Sequence, residues 1–139
     1  MYRDATEDPH VYQAFRGKVF AFRRGDGKEA WRVMIGLDAS ETCLHVTEDV
    51  VYAACGRTVV AIAAASGDVL WTARAPFGES MNSVMLVDGD AIFLSLGGQI
   101  VCFERENGAV RWSDELPGTG YGTPTLAVRG RSSSSSAGS

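Results

Sequence analysis

The sequence repeats itself with a period of about forty residues, and no other feature restricts its fold as strongly. Trp31, Trp71 and Trp112 are separated by 40 and 41 residues. A glycine stands four residues before each tryptophan, at Gly27, Gly67 and Gly108. A fixed period of this length is typical of proteins in which each repeat is one supersecondary unit that must stack on its neighbours to bury a core.

Short runs of β-branched and aromatic residues recur at the same period. The run VYQAF at residues 11–15 matches VYAAC at 51–55 and IFLSL at 92–96. A second set of matched runs leads into each glycine and tryptophan and begins at Val19, Val59 and Ile100. Such runs, bounded by glycine or aspartate turns, predict β-strands, and helical periodicity is absent. We therefore predict an all-β fold of four-stranded antiparallel units.

The phase of the repeat shows where each unit begins. Leu44 lies in a further apolar run that has copies at Met85 and at Leu126. Forty residues before Leu44 stands Asp4, in a polar stretch that cannot pack against a sheet face. The first unit therefore lacks its innermost strand, whereas an extra copy of that strand occurs near the other end of the chain.

These matches divide the chain into units, whose strands we label A to D from the inside outward. Unit one is predicted to hold strands B to D over about residues 11–34, and units two and three to hold A to D over 43–74 and 83–115. A lone A strand is predicted over 123–128, with Thr125, Leu126 and Val128 as its ring-closing residues. Residues 1–10 read as a polar segment and residues 129–139 as a flexible serine-rich tail.

The glycine–tryptophan segments resemble the docking motif Ala-x-Asp-x-x-Thr-Gly-x-x-x-Trp of the PQQ-like, or quinoprotein-like, propeller repeats. Its first position holds Ala21 and Ala61, and Cys102 replaces the small alanine in unit three. The resemblance covers about residues 11–128 and implies a β-propeller, in which four-stranded blades stack radially so that both faces of each sheet are hidden.

The motif is incomplete at two of its positions. Arg23 and Ala63 replace its aspartate, and Asp26 and Asn107 replace its threonine. We expect these replacements to weaken the hydrogen bonds of the motif. The glycine still permits a tight turn with positive φ, and the tryptophan is still expected to wedge between neighbouring sheets.

Three blades are too few to close a ring, because propellers have about 4–8 blades. An open arc would expose two apolar blade faces. We expect strand 123–128 of one chain to complete unit one of another, so that a homodimer, the commonest closed oligomer, forms a six-bladed ring. A nine-bladed trimer and a half-propeller completed by a different protein are the alternatives.

The composition bears on partners and location. A net charge of −4 and a pI near 5.1 disfavour nucleic acid and anionic membranes as partners. No apolar stretch approaches the roughly 20 residues that cross a bilayer, and residues 1–10 lack the apolar centre of a secretory signal. We therefore expect a cytoplasmic protein with no nucleic-acid or membrane partner. Its three cysteines fit no metal-binding spacing and are expected to be buried in a reducing compartment.

Charged and aromatic residues in the loops of one propeller face are the candidate ligand contacts. The predicted D–A loops carry Asp38, Glu41, Glu79 and Tyr121, and the B–C turns carry Arg16 and Arg57. His45, on an A strand, faces the predicted channel, where it is either a ligand or base, or a tolerated polar residue.

The resemblance raises the question of quinone chemistry. Dehydrogenases of this fold use eight blades, an ion held by carboxylates and an asparagine, an aspartate base and often an adjacent cysteine pair. The sequence has no Cys–Cys dipeptide and no matching carboxylate–asparagine set, so we expect no catalytic residue, metal or cofactor. The leading prediction is a non-enzymatic interaction or scaffold module that binds itself or another protein. A small-molecule or metal sensor is the alternative, and a quinone-dependent dehydrogenase fragment is less favoured.

Overall fold

The computed structural model describes residues 9–36, 42–76, 83–96, 99–115 and 125–129, and the backbone of residues 131–134. These residues form thirteen β-strands, and none of them lies in a helix. Within this described part, no helix is therefore available to cross a membrane.

Eleven strands form three antiparallel sheets, each a meander of consecutive strands that we call a blade. Blade 1 consists of β1 (His10–Phe15), β2 (Lys18–Arg23) and β3 (Glu29–Met34). Blade 2 consists of β4 (Thr42–Thr47), β5 (Val50–Cys55), β6 (Thr58–Ala63) and β7 (Val69–Arg74). Blade 3 consists of β8 (Ser83–Asp88), β9 (Ala91–Leu96), β10 (Gln99–Glu104) and β11 (Val110–Asp114). The all-β fold of antiparallel blades is confirmed.

The last two strands, β12 (Thr125–Val128) and β13 (Arg131–Ser134), form an antiparallel hairpin. Both strands contact β8 of blade 3, so β12 lies where the inner strand of a following blade would lie. Residues 131–134, within the predicted flexible tail over 129–139, form strand β13. The edge of β12 carries backbone N–H and C=O groups that need hydrogen-bond partners. The residues that follow supply these partners from their own backbone, whatever side chains they carry.

The turn before each outer strand has the same conformation in all three blades. Gly27, Gly67 and Gly108 have φ values of 75°, 84° and 79°, which a residue with a Cβ rarely adopts. In each turn the glycine N–H donates a 2.8 Å hydrogen bond to the carbonyl oxygen four residues earlier. The sequence repeat therefore reflects a repeated backbone geometry.

The residue before each glycine also closes its turn with a side-chain hydrogen bond. A side-chain oxygen of Asp26 accepts from the N–H of Lys28 at 3.0 Å, and that of Asn107 accepts from the N–H of Ala109 at 2.9 Å. Ser66 does the same in blade 2 at 3.2 Å. The expected weakening at this position was wrong, because aspartate and asparagine accept from the backbone two residues on as hydroxyl residues do.

Trp31 fastens blade 1 to blade 2. Its indole N–H donates a 2.8 Å hydrogen bond to the carbonyl oxygen of Ala64, and the side chain is only 8% exposed. The ring covers Gly67 so closely that a Cβ at that glycine would lie 2.7 Å from Trp31 Cγ. Glycine is thus required at this position both by its φ and by the neighbouring indole.

Trp71 makes the same contact between blades 2 and 3. Its indole N–H donates to the carbonyl oxygen of Arg105 at 3.1 Å, and its ring lies over Gly108, where a Cβ would come within 2.5 Å of Trp71 Cε3. The acceptor again lies three residues before the glycine. Two consecutive blade junctions are therefore built by one rule.

Blade 2 is buried on both faces because side chains alternate along a strand. On β6, Val60 and Ile62 belong to the core shared with blade 1, whereas Val59 and Ala61 belong to the core shared with blade 3. Fully burying one such side chain contributes about 1.5–3 kcal/mol. A sheet with two apolar faces is therefore stabilised mainly by its neighbours.

The three cysteines are free thiols. Cys55 and Cys102 are buried, and Cys43 on the inner strand β4 packs against the core between blades 2 and 3. Burial raises the pKa of the Cys43 thiol to about 11 and also raises the pKa of Cys102. A raised pKa leaves little thiolate at neutral pH, so Cys43 and Cys102 are poor nucleophiles.

We expect Trp31→Ala to lower the free energy of unfolding by about 3–5 kcal/mol, the usual loss for a large buried aromatic residue. Trp112→Ala is the matched control, because Trp112 is 45% exposed. Denaturant unfolding at concentrations where the chain is monomeric should show a much smaller loss for the control. Equal losses would contradict the account of the blade junction.

The Cys43 thiol should make stability depend on alkaline pH. Its pKa is raised in the folded chain, so its contribution is fully present below the unfolded pKa of about 8.5 and is lost as the pH rises towards 11. The difference in unfolding free energy between the natural chain and Cys43→Ala, measured by urea denaturation, should therefore decline over this interval. A constant difference would rule out a buried, protonated thiol.

Candidate protein-interaction site

Trp31 and Trp71 each lie over a glycine turn of the next blade, whereas the tryptophan of blade 3, Trp112, lies over no described glycine turn. Trp112 occupies the same strand position, paired with Cys102 as Trp31 is paired with Ala21. Its side chain is 45% exposed, and its ring lies 6.1 Å from the ring of Phe93. This face therefore ends in an exposed tryptophan beside a half-buried phenylalanine.

Blade 1 presents the opposite half of the contact. A Cβ added at Gly27 would meet nothing within 4 Å, whereas Gly67 and Gly108 are covered by tryptophans. Phe20 and Phe22 lie half-buried on the same blade with their rings stacked 5.9 Å apart. They occupy the strand positions at which blade 2 carries side chains that pack against blade 1. This face thus carries two aromatic rings and an open glycine turn, and the Arg32 guanidinium lies 5.0 Å from the Phe20 ring centre.

The inner edge of blade 1 is also incomplete among the described residues. Blade 1 has three strands, in the order β1-β2-β3, and no described strand pairs with the second edge of β1. Blades 2 and 3 each have a fourth strand at this position, β4 and β8. The predicted ring-closing residues lie on β12, where Leu126 and Val128 are half-buried and Thr125 is exposed.

The residues predicted to contact ligands do not form one described cluster. Arg16 is exposed with a φ of 53°, and its guanidinium lies 6.0 Å from the Phe15 ring centre. Arg57 donates two hydrogen bonds, of 3.1 and 2.8 Å, to the carbonyl oxygen of Ala75, so it fastens the end of blade 2. The other predicted contacts lie outside the described residues: Asp38, Glu41, Glu79 and Tyr121.

A groove of about 460 Å³ lies between blades 2 and 3, and the sequence did not reveal it. Tyr52, Trp71 and Arg105 are among its lining residues. Arg105 is held in place because its guanidinium donates to the Tyr52 hydroxyl at 2.9 Å and to the Thr47 hydroxyl at 3.1 Å. The only sequence feature that pointed to this arginine was its position, three residues before Gly108.

Several charged groups at the described surface form ion pairs with each other. Arg111 donates two 2.8 Å hydrogen bonds to the Glu104 carboxylate, which lowers the pKa of Glu104. Glu104 stands at the aspartate position of the repeat motif. His45 is half-buried on β4. No group of three or more His, Cys, Asp or Glu side chains within the described ranges is placed to hold a metal ion.

Solved propeller structures resemble this fold. The crystal structure of BamB from Moraxella catarrhalis is 17% identical with a TM-score of 0.60, covering 84% of this chain and 36% of that chain. Quinohemoprotein alcohol dehydrogenase from Comamonas testosteroni is 16% identical with a TM-score of 0.64, covering 78% and 20%. The computationally designed Ika4 protein is 13% identical with a TM-score of 0.65, covering 84% and 71%. At these identities the likeness shows the propeller fold alone.

The natural relatives among these structures are much longer than this chain, which spans 36% and 20% of their lengths. No curated protein matches the sequence. The family model described as outer membrane protein assembly factor BamB matches residues 15–96 and, in an overlapping second match, residues 58–131. Together these matches cover most of the chain and all three tryptophan repeats. The chain therefore belongs to the BamB-type family of PQQ-like propeller repeats.

Proposed function

We propose that the chain is a non-enzymatic interaction module whose partner is a second copy of itself, and that the copies share a strand. The observation that carries this proposal is the position of β12. It contacts β8 at one end of the blade array, while blade 1 at the other end has no inner strand among the residues that the structure describes. The inner strand that is not described in blade 1 and the additional strand β12 are thus strands of the same kind.

Within one chain, β12 pairs with β13. We propose that β1 of a second copy competes with β13 for the same edge of β12. At the positions where β5 and β9 carry Val51 and Tyr52, or Ile92 and Phe93, β13 has Arg131 and Ser132 in the sequence, and Ser133 follows them. Serines offer little apolar surface to bury. A second copy's β1, with Val11 and Tyr12, is the better strand for a blade.

The resulting composite blade would consist of β12 from one copy and β1, β2 and β3 from the other. Two such exchanges between two copies would complete six blades and leave no open face. Exchange of equivalent elements is a low-cost route to a dimer, and C2 is the commonest closed symmetry. The dimer is therefore favoured over a trimeric ring.

The family match supports an interaction role in general terms, because its description names an assembly factor. We propose that a completed ring presents its loops to a further protein, as a scaffold does. The quinohemoprotein neighbour is an enzyme, but its likeness extends only to the fold. The free thiols support a reducing, cytoplasmic location as part of this proposal.

A small-molecule sensor is the second candidate, since the groove beside Trp71 is partly apolar and open. The two candidates differ in thermal unfolding. A ligand would raise the melting temperature as the ligand concentration increases, whereas self-association would make the melting temperature rise with protein concentration.

We expect sedimentation equilibrium at micromolar concentration to give twice the monomer mass. Deleting residues 129–139 should tighten self-association, because it removes β13, the strand that competes for β12. Deleting only residues 135–139 is the matched control, since it keeps the whole of β13, and it should leave the dissociation constant unchanged. A monomer mass for all three chains would refute strand sharing.

A further inference from the structure

We propose that Trp112 of one copy docks on Gly27 of the next, so that the junction between copies repeats the junctions between blades. This inference rests on the proposed self-association and adds a second, outer contact to the shared inner strand. It assigns a role to two features that the shared strand leaves unexplained: an exposed tryptophan at one end of the chain and an open glycine turn at the other.

The receiving side is already formed in blade 1. In blades 2 and 3 the indole acceptor is the carbonyl oxygen three residues before the turn glycine, on Ala64 and on Arg105. The equivalent residue in blade 1 is Arg24. Its N–H donates to the carbonyl oxygen of Pro9 at 2.7 Å, as Ala64 and Arg105 donate to the residues equivalent to Pro9 at 2.9 Å. The backbone at Arg24 is thus fixed by the same hydrogen bond as the backbone at Ala64 and at Arg105. Its carbonyl oxygen has two lone pairs that can accept hydrogen bonds.

The inserting side is equally formed in blade 3. An aromatic ring on β1, β5 or β9 lies beside the tryptophan of the same blade. The ring-centre distances are 5.9 Å for Tyr12–Trp31, 6.3 Å for Tyr52–Trp71 and 6.1 Å for Phe93–Trp112. Trp112 therefore needs little reordering before it binds, which keeps the entropic cost of association low.

The apolar surroundings match as well. Trp31 packs in a cluster with Val60 and Ile62 of the following blade. Phe20 and Phe22 occupy the equivalent positions of blade 1 and are half-buried there. A blade face that carries Trp112 would cover these two rings as blade 1 covers Val60 and Ile62. Continuity with two junctions of the same chain therefore selects a second copy as the occupant.

This contact is heterologous, because the blade 3 face of one copy meets the blade 1 face of the next. A heterologous contact forms a closed ring only when the rotation between copies is correct. In a two-copy ring both junctions are identical, and each contains one Trp112 and one Gly27. The geometry therefore predicts which face of one copy contacts which face of the next, as well as how tightly the copies bind.

Two variants block the two sides separately. Trp112→Ala removes the inserting group, and Gly27→Ala places a Cβ where the indole must lie. Gly89→Ala is the matched control for the glycine, since Gly89 also has a positive φ, of 59°, and also has nothing within 4 Å of an added Cβ. Sedimentation should show dissociation constants raised at least about tenfold for the two blocking variants and unchanged for the control.

Mixing the two blocked variants tests the polarity. One of the two junctions in a mixed pair then joins the natural Trp112 of one variant to the natural Gly27 of the other. With one variant carrying a fluorescent label, the mixed pair should associate more tightly than either variant does alone. No gain on mixing would overturn the docking contact.

The outcomes separate the two proposals. If the natural chain is a dimer and both blocking variants dimerise equally well, the Trp112–Gly27 contact is refuted while strand sharing stands. If the natural chain stays monomeric up to about 100 μM, far above the concentrations at which specific protein pairs form, both proposals fail.

Discussion

The structure depends on one constraint, which is that a twisted four-stranded sheet with two apolar faces must be covered on both sides. Blade 2 meets this constraint within the chain, because β6 sends alternate side chains into the cores on either side. The tryptophan that lies over the next blade's glycine turn fixes how far apart the sheets stand and how they are oriented. Among the described residues, blade 1 meets the constraint on one side, and blade 3 meets it on one side and, through β12 and β13, over part of the other. The proposed self-association rests on this unequal coverage and needs no special binding motif.

Much of this architecture could be predicted from the sequence, because a repeat places the same side chains in the same environment several times. The spacing of Gly27, Gly67 and Gly108 indicated three equivalent turns, and their φ values agree. The missing copy of the Leu44 run indicated the incomplete first blade. These inferences needed only local pattern and period, which strands and tight turns express directly in sequence.

Other features depended on contacts that no local pattern records. β13 pairs through its backbone, so its serines carried no strand signal. Arg105 joins the side chains of Tyr52 and Thr47, more than fifty residues away, and that link exists only once blades 2 and 3 are stacked. The exposure of Trp112 was likewise invisible, since its sequence context equals that of the two covered tryptophans. What differs is the absence, among the described residues, of a following glycine turn.

The pairing partner of β12 tests the central claim most directly. In the single chain, Leu126 lies opposite Ser133. The equivalent pairs in blades 2 and 3 are Leu44–Ala53 and Met85–Leu94, which makes Gln13 the corresponding residue of a second copy. Isotope-filtered NMR on a mixture of labelled and unlabelled chains should show contacts between Leu126 of one copy and Gln13 of the other. Contacts of Leu126 with Ser133 of its own chain alone, at concentrations of hundreds of micromolar and above, would contradict the account.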